Sequence, residues 1–199
     1  MAQTDPKSLK GTQTEKNLVI AYVAESTAYT RYTFYAQAAT KEGYYPIAQV
    51  FNETADNELH HGKIFFKYLQ GGSVSVNVDV DAGVIGTTAE NLQIAANEEE
   101  TEGVDLYKKS AEVAREEGFD DIAEHFEAIA KIEDQHRRRF LHYLKQVKDG
   151  TVWKLDNEIV WKCLVCGYEF TGTEPPVKCP ACNHPREHYM AMDYVEGLE

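Results

Sequence analysis

Residues 47–65 read IAQVFNETADNELHHGKIF, and residues 122–140 read IAEHFEAIAKIEDQHRRRF. At a shift of 75 residues, Ile47-Ala48, Phe51, Glu58, His61 and Phe65 fall on Ile122-Ala123, Phe126, Glu133, His136 and Phe140. Upstream, at a shift of 74, Asn17-Leu18, Ile20-Ala21 and Glu25 fall on Asn91-Leu92, Ile94-Ala95 and Glu99. The change of shift is assigned to one residue added in the turn of the second copy. One unit is written twice, and a pseudo-twofold brings both copies to a shared core.

Each copy reads as a pair of helices. Thr12-Gln13-Thr14-Glu15 has the capping-box form and opens an amphipathic run to about Lys41. After Gly43 a second helix runs from about Pro46 to Leu69, with proline in its first turn. Thr87-Thr88-Ala89-Glu90 opens a third helix that ends near Gly118, and a fourth runs from about Asp120 to Lys148. Short turns make each pair an antiparallel hairpin. The stretch 71–86 between the pairs contains an alternating Ser-Val-Ser-Val-Asn-Val-Asp-Val run with the period of a strand. It is read as an extended crossover, since a lone strand has no sheet to join. The expectation is an all-α four-helix bundle over residues 1–150 and a small metal-binding unit over 151–199.

The repeated glutamates stand where a core is expected. Glu25 shares its helical face with Leu18, Ala21, Tyr22, Ala28, Tyr29 and Tyr32; Glu58 shares one with Phe51, Ala55, His61, Phe65 and Leu69. Glu99 lies with Leu92, Ala95, Ala96, Glu102 and Leu106, and Glu133 with Phe126, Ile129, Ala130, His136 and Phe140. Buried carboxylates without a partner are costly. A cation at the bundle centre removes that cost. Residues three apart on a helix point the same way, so Glu58 with His61 and Glu133 with His136 each offer an oxygen and a nitrogen. Glu25 and Glu99 add one carboxylate per hairpin, and the whole matches the donor set of ferritin-like two-metal bundles. A single Glu-x-x-His is usually surface chemistry; two copies inside a whole-domain repeat are not.

Glu102 breaks the symmetry, because Ala28 occupies its place in the first copy. It shares the Glu99 face, while Glu98 and Glu100 are read as pointing elsewhere. Five carboxylates and two histidines favour iron or manganese over copper or structural zinc. Tyr32 and Tyr107, about two turns after Glu25 and Glu99, are candidates to hydrogen-bond these groups or supply protons. His60, His125 and His142 read as ordinary helix residues.

All four cysteines lie between Cys163 and Cys182, as Cys163-Leu-Val-Cys166-Gly-Tyr168 and Cys179-Pro-Ala-Cys182. Two close Cys-x-x-Cys pairs make a tetrahedral thiolate site for iron or zinc, in a reducing compartment. No stretch approaches the roughly 18 apolar residues of a membrane span, and Met1–Gly11 lacks an apolar signal core, so a cytoplasmic location is expected. A formal net charge of -13 disfavours nucleic acid and anionic membrane as partners.

Glu25, Glu58-x-x-His61, Glu99-x-x-Glu102, Glu133-x-x-His136 and the four cysteines, in that order, resemble rubrerythrin over nearly the full chain. The resemblance implies a ferritin-like bundle holding two non-haem irons and a rubredoxin-like domain holding one. It implies a peroxidase that reduces hydrogen peroxide with electrons ultimately from NAD(P)H, through a reductase or rubredoxin, as a homodimer or larger. It further implies that peroxide bridges two ferrous ions. The iron near Glu25 takes Glu102 when oxidised and His61 when reduced, and the tetrathiolate iron serves the other subunit's centre. Two alternatives stand beside it. One is a ferroxidase or iron-handling protein; the other is a structural bundle carrying a zinc ribbon.

Overall fold

The structure, a computed structural model, describes residues 7–192, the side chain of Glu102 excepted. Helix α1 spans Gln13–Glu42 and α2 Tyr45–Tyr68. The third rod of the bundle is composite: α3 at Thr88–Glu98, a π-helical turn at Glu99–Asp105, and α4 at Leu106–Glu116. Helix α5 spans Asp120–Asp149. A four-helix bundle of two antiparallel hairpins results. Among the described residues, the crossover at 70–86 contains neither helix nor strand. It is tied to α1 where Arg31 Nη2 donates to the Asp81 carbonyl at 2.8 Å.

The helix starts follow the expected chemistry with one difference. Thr87 and Glu90 form a full reciprocal capping box. At α1, Thr12 Oγ1 accepts from the Glu15 amide at 3.0 Å, but the Glu15 carboxylate turns to the Gly11 amide at 2.8 Å. Both hairpin turns follow a glycine in the left-handed region, Gly43 at φ 85° and Gly118 at φ 74°. These glycines match at a shift of 75, and so do Tyr32 and Tyr107. The two turns are therefore equal in length. The extra residue of the second copy lies inside the third rod, where the π-turn absorbs it, and not in the turn to which the repeat pattern assigns it.

The core fills two clusters above and below the bundle centre. One gathers Tyr32, Tyr35, Phe51, Leu92 and Phe140; the other gathers Leu18, Phe65, Tyr107, Ile122 and Phe126. Tyr22 and Tyr29, expected to face inward with Glu25, are instead exposed, and Tyr22 packs against Phe66 at 5.4 Å on the outer surface. Their rings sit at the edge of the α1 stripe, where the neighbouring helices cover them only in part.

The C-terminal unit is a three-stranded antiparallel sheet: β1 (Ile159–Cys163) lies between β2 (Glu169–Gly172) and β3 (Tyr189–Ala191). Trp161 on β1 is fully buried among Cys163, Cys179 and Tyr189. The unit rests on the bundle. Val152 and Met190 join the first core cluster, Trp153 stacks on Tyr44 at 5.7 Å, and His188 stacks on Tyr45 at 3.8 Å. Both tyrosines come from the turn between α1 and α2.

Candidate metal centre

The bundle brings Glu25 of α1, Glu58 and His61 of α2, Glu99 at the start of the π-turn, and Glu133 and His136 of α5 to one point. All six are buried. Their donor atoms form two groups, Glu25, Glu58, His61 and Glu133, and Glu58, Glu99, Glu133 and His136, each within 4.8 Å. Glu58 and Glu133 belong to both. Glu58 presents Oε2 to His61 Nδ1 at 2.9 Å and Oε1 to His136 Nδ1 at 3.1 Å. Glu133 presents Oε1 to His61 Nδ1 at 3.0 Å and Oε2 to His136 Nδ1 at 2.9 Å. Glu25 and Glu99 each face one histidine, at 3.9 and 3.7 Å. This is the layout of two carboxylates spanning a pair of cations, each flanked by a further carboxylate and an imidazole.

A donor set that fits cations should hold lone pairs unsatisfied without them. Oε1 of Glu58 and Oε1 of Glu133 are buried and make no aligned hydrogen bond, although each lies within ion-pair distance of a histidine. Buried carboxylate oxygens rarely go unpaired. The hard oxygen and imidazole donors suit iron.

Each outer carboxylate is held by the opposite hairpin. Tyr32 Oη donates to Glu99 Oε1 at 2.7 Å, and Tyr107 Oη donates to Glu25 Oε1 at 2.6 Å. Burial and the neighbouring carboxylates raise both phenols well above their ordinary range, so they keep their protons. The π-turn is what makes Tyr107 equivalent to Tyr32. Continued α-helical spacing would have brought Leu106 round; Leu106 is only half-buried.

Two close approaches fix the carboxylate stems. A Cβ on Gly62 would stand 3.2 Å from Glu25 Cβ, and one on Gly103 would stand 2.6 Å from both Cβ and Cγ of Glu133.

Helical spacing alone overlooks Glu98. It is buried at 8% exposure and lines the small cavity beside Glu25, Glu99, Gly103 and Glu133, with its charge paired to Arg31. Its counterpart is Ala24, so a break in the repeat was the available signal. Glu102 has its backbone in the π-turn, so the argument from α-helical spacing does not transfer to it; its side chain lies outside the described residues. His60 and His125 are exposed, and His142 bonds Gln146 at 3.0 Å.

Without metal, protons serve as the counter-charge. For His61 burial lowers the pKa, but the Glu133 and Glu58 carboxylates, at 3.0 and 2.9 Å from Nδ1, override it and raise it to about 9. His136 is raised well above its ordinary range, again against burial, by Glu58 and Glu133. Burial and then the Glu133 and Glu58 charges push Glu25 well up; Glu99 is pushed up likewise. On Glu133 burial is outweighed by His136 and His61, which bring it to about 2. The raised His61 stabilises the fold fully below about 6.5, a contribution lost as pH climbs through about 9, and His136 acts in the same direction. Raised glutamates change stability in the same direction, since their protons also leave as pH rises. Metal-free protein should therefore lose stability from pH 6.5 to pH 9. Bound metal, which displaces those protons, should widen the Tm gap between loaded and metal-free forms over that window. Differential scanning calorimetry of both forms checks this. A gap independent of pH contradicts it.

In the C-terminal unit, Cys163 and Cys182 Sγ are 3.7 Å apart, Cys166 and Cys179 Sγ 3.6 Å, and the four sulfurs form one group. Sulfurs at the corners of a tetrahedron about 2.3 Å from a central ion stand about 3.8 Å apart. The four thiols fit one metal ion. Cys179 is brought to about 6, since the nearby Tyr189 hydroxyl and backbone amides outweigh burial.

Residues 16–141 match the family model described as rubrerythrin, and residues 161–190 match that of the rubrerythrin rubredoxin-like domain. The chain is 50% identical over 186 residues to a rubrerythrin of Porphyromonas gingivalis, covering 94% of this chain and 93% of that protein. It is 42% identical to a rubrerythrin of Nitratidesulfovibrio vulgaris, covering 92% of this chain and 96% of that one. Among solved structures, fully reduced all-ferrous nigerythrin superposes with a TM-score of 0.62 at 30% identity, covering 95% of this chain and 91% of that one.

Proposed function

Because the chain belongs to the rubrerythrin family, with a di-iron carboxylate site in its bundle and a rubredoxin-like iron site beside it, we propose that it is a hydrogen peroxide reductase. The observation that carries this reading is the pairing of a buried two-cation site with a thiolate module seated on the same bundle. A ferroxidase or a store needs the first and has no use for the second.

The residues that would hold the two irons are Glu25, Glu58, His61, Glu99, Glu133 and His136, with Glu58 and Glu133 common to both donor groups, and Glu102 by its sequence position. Cys163, Cys166, Cys179 and Cys182 would hold the third iron. When bound, the two irons would supply the electrons of H2O2 + 2H⁺ + 2e⁻ → 2H2O, and an iron held by the four cysteines would supply one-electron transfer. The chain's own part is positional. Glu58 and Glu133 set the separation of the two cations, and the aromatic clusters on either side exclude bulk water. Tyr32 and Tyr107 fix the outer carboxylates while keeping two protons at Oη atoms beside the centre. The division of labour follows the chain, residues 1–150 holding the reaction and 151–199 the electron supply. Electrons would come from NAD(P)H through a reductase or a rubredoxin, in the cytoplasm, where four free thiols persist. No helix among the described residues is long and apolar enough to cross a membrane. The family resemblance adds a homodimer or larger.

Stopped-flow mixing of the iron-loaded, reduced protein with peroxide or with dioxygen tests the proposal. Peroxide should react at least about tenfold faster, about 1.4 kcal/mol in barrier. Faster oxidation by dioxygen would assign a ferroxidase instead.

A further inference from the structure

The six repeated donors pair off between the two halves of the centre, but what stands behind the two histidines does not. His136 turns Nδ1 to Glu133 and Glu58, and its other nitrogen, Nε2, meets Asn57 Oδ1 at 3.3 Å. Asn57 is on α2, one residue before Glu58, and so reaches across the bundle to the histidine of the other hairpin. At the shift of 75 its counterpart is Ile132, one residue before Glu133 on α5. By the repeat, Ile132 holds the position relative to His61 that Asn57 holds relative to His136. An isoleucine side chain has no acceptor. Among the described residues, the hydrogen bonds and ion pairs of His61 all run through Nδ1, to Glu58, Glu133 and Glu25.

From this we infer that Asn57 is a positioning residue that makes His136 the firmly held nitrogen donor, and that Ile132 leaves His61 the loosely held one. An amide oxygen facing Nε2 requires the proton on Nε2, which fixes the tautomer with the Nδ1 lone pair toward the carboxylates. The same hydrogen bond orients the ring and increases the basicity of Nδ1. His61 reaches that state only by selecting its own tautomer and ring angle. The cation on the His136 side is therefore retained, and the one on the His61 side is exchangeable. This rests on the two-metal reading of the centre and goes beyond it, since it assigns a difference between the two histidines to Asn57 and Ile132, which lie outside the ligand set.

The test uses the full chain loaded with zinc, which is diamagnetic, after two bundle ions per chain have been counted besides the thiolate ion. Fewer than two would overturn the metal reading itself and the inference with it. With two present, EDTA should remove bundle zinc in two phases. Asn57→Leu should accelerate the slow phase about 10–100-fold, the usual effect of losing such a partner. Asn57→Asp, which keeps the acceptor, should preserve that phase, and Ile132→Asn should slow the fast one. In ¹⁵N-edited spectra the His136 Nε2–H should exchange slowly with water and the His61 Nε2–H rapidly. A single release phase, or a slow phase indifferent to Asn57→Leu, overturns the inference while leaving the two-metal centre intact. Equal protection of the two imidazole protons overturns it as well.

Discussion

A Cys166→Ser protein is expected to lose turnover supported by an electron donor while still oxidising once when pre-reduced and mixed with peroxide. Cys166 stands at the exposed end of the module, 3.6 Å from Cys179 across the tetrahedron. A serine oxygen is a harder donor and does not complete a thiolate site selective for iron. Donor-supported turnover should fall by on the order of a hundredfold or more, about 2.7 kcal/mol in barrier. The red ferric-thiolate colour should disappear with it. The bundle donors share no residue with the module, so single-turnover oxidation should stay within a few-fold. Tyr44 with Trp153 and Tyr45 with His188 are the places where damage could spread, and the module's fold depends on its metal. Loss of the single turnover would show that the bundle site depends on a seated module.

Gly103→Ala should cost the bundle its metal. Carbon atoms pack best about 3.5–4.0 Å apart, and the new methyl would stand 2.6 Å from two carbons of Glu133 and 3.5 Å from Glu99 Oε2. The obstacle is the stem of a buried side chain fixed to α5, which has no freedom to swing aside. Either the π-turn retreats, taking Glu99 with it, or Glu133 leaves its place between the two histidines. The first displaces the outer carboxylate of one cation position, and the second removes a carboxylate that both positions share. Overpacking of this kind costs about 1–3 kcal/mol, so melting should fall even without metal. Gly62→Ala is the milder control, since its contact with Glu25 Cβ is 3.2 Å. Elemental analysis and calorimetry decide the matter; full bundle iron with unchanged melting in Gly103→Ala would show slack that the geometry lacks.

Most of the fold is legible in the amino-acid sequence. The repeat locates four rods and two hairpins, and a cation is the economical account of four glutamates on apolar faces. The fold and the metals follow those readings; the individual ligands remain proposals. The misplaced residue is instructive. The sequence shows a shift of 74 at Glu99 and 75 at Ile122, and backbone hydrogen bonding shows the change as the π-turn. Tyr32 and Tyr107, already at 75, confine it to the eight residues after Glu99. Glu98 escapes notice because a helical wheel turns it away from Glu99, while its burial depends on Arg31 from another helix. Tyr22 and Tyr29 mislead for the opposite reason, since large rings at the edge of a stripe count as core until the neighbour's width is known. Seating of the module on Tyr44 and Tyr45 joins residues far apart in sequence and has no local signature.

The exchange of tyrosine bonds between hairpins has a consequence for how the protein comes into being. Each group of donors takes three residues from one hairpin and one from the other, and each outer glutamate is latched by a tyrosine of the opposite hairpin. Neither hairpin, emerging alone from the ribosome, owns a complete cage. The crossover at 70–86 must first return the second hairpin onto the first, a closure between distant parts of the chain and hence a slow one. Iron capture at the bundle is thus a late event in biogenesis. A nascent chain with only its first half made carries three donors of one group and a single donor of the other.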